Sequence, residues 1–269
     1  ALAVNWAAQE GWNPGLCDAD AFLAQDPEGF LGLFVDDALA VTISAVTYEG
    51  RFGFIGFYIC RPDLRGRGLG LQVWNAAMAR LDGLTVGLDG VVAQQANYAR
   101  SGFQLAHRNI RYGGPTPQGA TAAGIETVGP SLLEAVAAYD RGVFLFPRPA
   151  FLARWLAPPE GRALAILKDG ALRGYGAVRR CREGFKVGPL FAETAEEARA
   201  LFLALAQEAR GREEGAPIFL DVPEPNGEGR ALAEAMGLSP VFETARMYRG
   251  VALDLPLSRI FGISTFELG

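Results

Sequence analysis

Apolar and polar positions alternate with period two over Phe30–Val35, Leu39–Tyr48 and Phe52–Cys60, broken at Asp36-Asp37 and Glu49-Gly50. Alternating runs joined by short polar turns predict three antiparallel strands in a meander. The period then changes. Leu71, Trp74, Met78 and Leu81 recur at helical spacing, so 71–81 is expected to be a helix whose apolar face belongs to the core rather than to a ligand. Leu84–Leu88 reads as a further strand, Gln94–Ser101 as a short helix and Phe103–Tyr112 as a closing strand. Ahead of the meander, Val4–Glu10 and Cys17–Ala24 read as helices divided by Gly11-Trp12-Asn13-Pro14-Gly15, whose Gly and Pro break both.

Residues 116–250 repeat the plan. Gly124–Val128 is a candidate first strand, and Ser131–Asp140 a helix capped by Ser131 with Glu134 three residues on. Ala163–Leu167, Leu172–Cys181 and Phe185–Phe191, turning at Asp169-Gly170 and Glu183-Gly184, make a second meander. Thr194–Arg210 is a strong helix, and Pro217–Val222, Gly229–Met236 and Leu238–Tyr248 complete the copy. The run Gly102-Phe103-Gln104 to Arg111-Tyr112 parallels Gly237-Leu238-Ser239 to Met247-Tyr248. Between the copies, Gly113-Gly114-Pro115-Thr116-Pro117-Gln118-Gly119 has the composition of a linker, which divides the chain into domains 1–114 and 115–269.

The segment Arg65-Gly66-Arg67-Gly68-Leu69-Gly70 joins the third strand to the helix that follows. Gly66, Gly68 and Gly70 lack Cβ atoms, so the backbone can turn tightly and expose successive N–H groups. The helix start adds unpaired donors and the positive end of its dipole, and Arg65 and Arg67 add formal charge. These features predict a cradle for a phosphate or pyrophosphate. The spacing fits neither the dinucleotide pattern Gly-x-Gly-x-x-Gly nor the P-loop, which needs Lys-Ser/Thr after its last glycine.

It does fit Gln/Arg-x-x-Gly-x-Gly/Ala, here Arg65-x-x-Gly68-x-Gly70, and the stretch Ile59 to Gly70 closely resembles the pyrophosphate loop of the GNAT superfamily of N-acetyltransferases. The order of elements over about residues 1–114 is similar to that family as well. The resemblance implies an α/β (α+β) fold with a mixed, mostly antiparallel sheet flanked by helices, in two tandem GNAT-like domains. The family's first strand would precede Val4, where this segment starts too late to supply it, so that strand is either trimmed or borrowed from elsewhere. At the cradle's position the second copy has Gly188-Pro189-Leu190-Phe191-Ala192-Glu193-Thr194-Ala195-Glu196-Glu197. Its glutamates suit a helix start but repel a pyrophosphate. The second copy is therefore expected to be degenerate, walling the acceptor site or offering a dimer face.

The activity implied by the resemblance is direct transfer of an acetyl group from acetyl-CoA to a primary amine on a small molecule or peptide. The cofactor-binding set it implies is Tyr58, Ile59, Cys60, Arg65, Gly66, Arg67, Gly68, Leu69, Gly70 and Leu71. Backbone at Tyr58, Ile59 and Cys60 would pair with the pantetheine arm, and an N–H near Ile59 or Cys60 would face the developing oxyanion. Tyr98, four residues before Gly102-Phe103, matches the Tyr of the family's Leu-Tyr-x-x-x-Gly-Phe pattern and is the candidate acid for the leaving thiolate. The family's helix Asn falls on Val91, leaving Gln94 or Asn97 as replacements. Asp89, at the end of the fifth strand in the family's count, and Glu49, at the turn before Phe52, are candidate bases, with an ordered water as the alternative. Cys60 reads as a small buried hydrophobe, since no histidine adjoins it. A CoA-binding sensor or assembly module without turnover stands as the alternative function.

Composition adds limits. With 269 residues, 50% hydrophobic and 20% charged, the chain can bury a large core. No apolar run approaches the roughly 20 residues that span a bilayer, and no signal peptide opens the sequence, so no membrane partner is expected. Cys17, Cys60 and Cys181 are too few and too dispersed for a disulfide framework or metal knuckle, and a single His107 excludes a multi-histidine metal site. Both point to a metal-free protein in a reducing cytoplasm. Residues 1–50 carry eight acids and no Lys or Arg, while 51–114 carry eight arginines against Asp63, Asp82 and Asp89. A basic middle segment suits an anionic cofactor and an acidic leading segment a cationic co-substrate, whereas the net charge of −5 argues against nucleic acid.

Overall fold

The computed structural model describes residues 2–120 and 122–269. Strands β1 (Phe30–Val35), β2 (Ala38–Tyr48) and β3 (Phe52–Cys60) form the expected meander. Both central residues of each hairpin turn have positive φ, Asp36 and Asp37 at 49° and 61°, Glu49 and Gly50 at 50° and 63°. Such turns follow the right-handed twist of the strands they join. Helices α1 (Leu2–Gln9) and α2 (Asp18–Gln25) precede the meander. After it come α3 (Leu69–Arg80), β4 (Thr85–Val91), α4 (Gln95–Arg100) and β5 (Gln104–Pro115).

The second half runs β6 (Ile125–Thr127), α5 (Pro130–Phe144), α6 (Pro149–Trp155), β7 (Gly161–Lys168), β8 (Ala171–Arg180), β9 (Phe185–Ala192), α7 (Ala195–Arg212), β10 (Pro217–Pro223), α8 (Gly227–Ala235), β11 (Ser239–Arg249) and β12 (Ile260–Gly262). Ser131 does not cap α5. The N-cap is Gly129, and Pro130 supplies the first turn, a position where a missing N–H costs nothing. Helix α6 and strand β12 are too short to show a period in the sequence.

All twelve strands form one sheet in the order β1-β2-β3-β4-β11-β5-β10-β9-β8-β7-β6, with β12 beside β9. The pairs β3/β4 and β9/β10 are parallel and the others antiparallel. The order is palindromic about the β11/β5 pair. Each closing strand crosses to the other half, so β11 lies against β4 and β5 against β10. A strand is thus borrowed, but at the centre of the sheet, and among the described residues none lies outside β1. Gly113, Gly114 and Pro115 belong to β5 rather than to a linker. A Cβ on Gly113 would stand 2.7 Å from the Phe219 ring of β10, so glycine there serves close strand packing.

Two buried ion pairs hold the exchange. Arg246 of β11 sits directly across from Asp89 of β4 and donates to both carboxylate oxygens, at 2.8 and 2.7 Å. Arg111 of β5 sits across from Asp221 of β10 and does the same, at 2.6 and 2.8 Å. One core packs α3 against β2, β3 and β4 through Val73, Trp74, Ala77 and Met78. A second packs α7 against the second meander. The largest joins α1, α2, α5 and α6 to residues of β2, β3, β8 and β9.

Leaving Arg246 buried without its partner is costly, as removal of one member of such a pair typically costs about 3–5 kcal/mol. Asp89→Ala is therefore expected to lower unfolding stability by that order, measured by denaturant titration. A change below about 1 kcal/mol would mean that the pair does not hold the exchanged strand.

Candidate active site

Strand β3 carries an extra residue. Its pairing with β2 passes from Ser44↔Gly56 to Thr42↔Ile59, so one more residue lies on β3 than on β2. Phe57 takes φ of 47° at this bulge, and Thr42 Oγ1 donates to its carbonyl at 2.7 Å. The bulge shifts the side-chain phase. Phe52 and Phe54 share the largest core with Phe57 and Ile59, whereas Ile55, Tyr58 and Cys60 face α3. Pairing between β3 and β4 ends just before the bulge, at Ile55↔Leu88. Beyond it the strands part, and among the described residues the edge of β3 from Gly56 to Cys60 that faces β4 has no strand partner.

A cavity of about 570 Å³ fills the opening. Its walls include Gly56, Tyr58, Ile59 and Cys60 of β3, Leu88, Asp89 and Val91 of β4, and Tyr98 of α4. Arg65, Gly66, Gly68, Leu69, Gly70 and Leu71 close one end. Gly66 and Gly68 both take φ of 77°, and no atom lies within 4 Å of where their Cβ atoms would be. Gly68 is the N-cap of α3 and supplies no side-chain cap, so the first-turn N–H groups stay available. Gly70 is tight for another reason. A Cβ there would lie 2.7 Å from the Tyr58 hydroxyl. Open backbone, uncapped donors and a dipole end together fit a diphosphate.

The cations divide unequally. Arg65 donates from Nε to the Cys60 carbonyl at 3.0 Å and pairs with Glu10, just past α1. Arg67 is exposed, forms no ion pair among the described residues and does not line the cavity. Every other residue of the expected cofactor set lines it. Tyr98 packs on Trp74 at 5.6 Å between ring centroids and on Phe103 at 6.5 Å. Its ring lies over Gly90, where a Cβ would meet it at 2.6 Å. Burial, with Tyr58 beside it, pushes the phenol above its ordinary pKa, so it is protonated at neutral pH and can donate. Burial likewise raises the Cys60 thiol, which keeps it from acting as a thiolate. Gln94 lines the cavity; Asn97 instead contacts Gln94 and Arg100.

Neither expected base survives. Asp89 lines the cavity, but both its oxygens are held by Arg246 and Oδ1 also accepts from Asn109 at 2.8 Å. Its counterpart Asp221 has the same arginine partnership and does not line this cavity, which marks the pair as structural. Glu49 stands at the far end of β3, about 30 Å from Cys60 at roughly 3.3 Å per residue, exposed and 3.6 Å from Arg51. His107 does not line the cavity either, and burial, followed by Arg246, holds its pKa down to about 4.

The far wall was not foreseen. It consists of Trp12, Phe242 and Thr244 of β11, and Phe266 and Glu267 near the C-terminal end. The run Ile260 to Leu268 is nearly uncharged and almost fully buried, and its density of Ile, Phe and Leu was the available signal.

In the second half the equivalent opening is filled. Beyond Val187↔Leu220, β9 pairs instead with β12, while the Ile263 N–H donates to the Asp221 carbonyl of β10 at 2.9 Å. Helix α7 is capped by its own Thr194, which accepts from the Glu197 N–H at 3.2 Å.

Models of two acetyltransferase families match the chain, the Acetyltransferase (GNAT) family over residues 3–103 and the Acetyltransferase (GNAT) domain over 136–262. Holothin acyltransferase of Pseudoalteromonas sp. (strain SANK 73390) is 33% identical over 271 residues, covering 100% of this chain and 90% of the relative. The chain belongs to the GNAT acetyltransferase family. Among solved structures, a putative acetyltransferase from Pyrococcus horikoshii superposes with a TM-score of 0.80 at 22% identity, covering 94% of this chain and 84% of that one. A tandem GNAT protein from the clavulanic acid biosynthesis pathway gives 0.62 at 15% identity, with 89% and 90% covered. The fold is thus a tandem GNAT fold, and the chain is an acyltransferase. Among the described residues no helix is long and apolar enough to cross a membrane, and no His, Cys, Asp or Glu cluster is placed to hold a metal ion.

If the cradle carries cofactor affinity, Gly68→Val should weaken CoA binding at least tenfold by calorimetry. Strain from the positive φ should cost roughly 1–2 kcal/mol of stability. Unchanged affinity in the folded variant would remove Gly68 from the binding site.

Proposed function

We propose that this GNAT protein transfers an acetyl group from acetyl-CoA to a primary amine in a ternary complex. The observation that supports this most is the open β3/β4 wedge ending in an uncapped glycine cradle, with a protonated tyrosine in the same cavity. In this reading residues 1–114 form the cofactor-binding catalytic domain and 115–269 a degenerate copy that walls the acceptor end. The three free cysteines suit a reducing cytoplasm.

Acetyl-CoA supplies an activated thioester. The chain's residues do the rest. The cradle fixes the pyrophosphate, and the free edge of β3 aligns the pantetheine arm and offers a backbone N–H near Ile59 or Cys60 to the carbonyl oxygen. Tyr98 hands its proton to the departing sulfur. Trp12, Phe242 and Phe266 give the acceptor end an aromatic lining that suits a ring-bearing small molecule. Holothin, named in the relative, belongs in the test panel.

The test incubates the protein with acetyl-CoA and a panel of polyamines, aminoglycosides, amino acids, peptides, arylamines and holothin, and measures free CoA thiol. Amine-dependent release is expected, with one acetyl-CoA bound per chain by calorimetry. Binding without release for any amine would favour a CoA-binding module instead. Tyr98→Phe keeps the ring and removes its phenolic proton. Turnover is expected to fall by about 10²–10⁴-fold with acetyl-CoA affinity and melting temperature little changed. A loss below about fivefold would leave Tyr98 a packing residue.

A further inference from the structure

With Asp89 and Glu49 set aside, the reaction lacks a group to receive the amine's proton. Of nine buried side-chain N and O atoms without partners among the described residues, two, Thr244 Oγ1 and Glu267 Oε1, are on the far side of the cavity from the cradle. Both belong to residues that line the cavity. Buried polar atoms are usually paired in folded proteins, so these two, on residues that share one cavity, are the ones a ligand's polar group could satisfy. Phe242, two residues before Thr244, and Phe266, next to Glu267, stand with ring centroids 6.1 Å apart, so both segments converge on that wall.

Glu267 is also pinned beside the reacting end of the wedge. A Cβ on Gly56 would lie 2.1 Å from the Glu267 carbonyl oxygen. Gly56 immediately follows Ile55, the last residue of β3 paired to β4. The C-terminal segment therefore crosses β3 where the strands begin to part. Tyr48 holds it there, its hydroxyl donating to the Leu268 carbonyl at 2.7 Å, and Thr265 Oγ1 contacts the other carboxylate oxygen of Glu267.

We propose that Glu267, supplied by the second half, is the general base of the reaction, with Thr244 as hydrogen-bonding partner to the acceptor. This rests on the acetyl-transfer reading above. The amine nitrogen's lone pair forms the C–N bond to the acetyl carbonyl carbon. The C–S bond breaks with its electron pair on sulfur. The amine's proton passes to the Glu267 carboxylate, and sulfur takes the Tyr98 proton. Glu267 then returns its proton through solvent to the Tyr98 oxygen, leaving the N-acetylated amine, free CoA and the starting enzyme.

The surroundings suit the role. Burial pushes the Glu267 carboxyl above the ordinary range, Asp18 of α2 adds to this, and Lys186 of β9, Thr265 and Arg111 of β5 oppose it. Arg111 is committed to Asp221, and Asp18 to Arg179 of β8. Lys186 is buried, donates to the Trp12 carbonyl at 3.3 Å, and has its own pKa lowered by burial and by Arg111. Glu10, paired with Arg65, and Asp89, paired with Arg246, are the other carboxylates lining the cavity, beside the phenols of Tyr58 and Tyr98. A raised carboxyl pKa lies nearer neutrality, where a base works efficiently. The sign follows: turnover must fall as pH drops through the raised value, because the protonated acid cannot accept a proton.

The test compares wild type, Glu267→Gln and Glu267→Asp, using the fastest acceptor in the amine panel with acetyl-CoA between pH 5 and 9. Glu267→Gln is expected to lose about 10²–10³-fold in turnover, of the size typical for a lost general base, and to lose the acidic limb of its pH profile. CoA affinity should stay within twofold by calorimetry. Glu267→Asp should recover part of the rate and the limb. Independently of turnover, carbon-13 NMR of glutamate-labelled protein should show one carboxyl titrating above the usual 4.3 or so that is missing from Glu267→Gln. The inference is overturned if Glu267→Gln keeps its limb and a rate within fivefold, if that carboxyl titrates at the ordinary value, or if both variants lose CoA affinity and melting temperature together. A wild type that binds CoA but releases no thiol with any amine overturns the acetyl-transfer reading itself and this assignment with it.

Discussion

The exchange of closing strands at the centre of the sheet is the constraint on which the other features depend. A parallel pair such as β3/β4 can open at one end only if β4 is held firmly on its other side. Here that side is β11, a strand from the other half, fastened by Arg246 across from Asp89. The side chain of Asp89 is fully buried and that of Arg246 only 5% exposed, so neither can return to water when the pair breaks, and their attraction acts in a medium of low polarity. Both carboxylate oxygens of Asp89 are occupied by Arg246, though the residue lines the cavity. The palindrome repeats the device at Arg111 and Asp221, beside the ladders β11/β4, β11/β5 and β5/β10 that join the two halves in one sheet.

The same architecture gives opposite outcomes in the two halves because of a few local residues. In the first, α3 begins at Gly68 with no side chain to occupy its N–H groups, and the wedge before it is open. In the second, Thr194 caps α7, Glu197 of its first turn is engaged by Arg173 at 2.8 Å, and β12 enters the wedge. A helix start can serve a ligand or its own cap, but the same N–H groups cannot do both. An edge that a strand of the same chain has taken cannot accept a pantetheine arm. The asymmetry thus follows from backbone donors and acceptors already spent, beyond the repulsion that acidic residues alone would supply.

Much of this was legible in the sequence because it depends on local pattern. The strands 30–35 and 52–60 fall where the alternation placed them, and the cradle's glycines occupy the turn their spacing demanded. What stayed hidden depends on distant partners. Nothing near Asp89 reveals that Arg246, 157 residues away, neutralises it. Glu49 looked eligible only because a linear reading cannot tell the two ends of a strand apart. The Gly113-Gly114-Pro115 run has loop composition, yet it is strand because Phe219 needs the missing side-chain volume. The C-terminal segment has no period, and its burial comes from filling a gap that exists only once both halves are assembled.

That segment turns a duplicated fold into a divided one. From Ile260 to Gly262 it completes the second half's sheet, and five residues on, Glu267 lies against Gly56 in the first. In between, Arg148 donates to the Ser264 hydroxyl at 2.8 Å while engaging Asp140 with its other donors, so the crossing is anchored in the shared core. The cradle end of the cavity is thus built from β3, the cradle and α3 of the first half, whereas Phe242, Thr244, Phe266 and Glu267 of its far wall come from the second. The second half, whose own wedge is filled, thus supplies every residue of that far wall except Trp12. Substitutions in β11 and the C-terminal segment can then reshape the far wall without touching the glycines of the cradle.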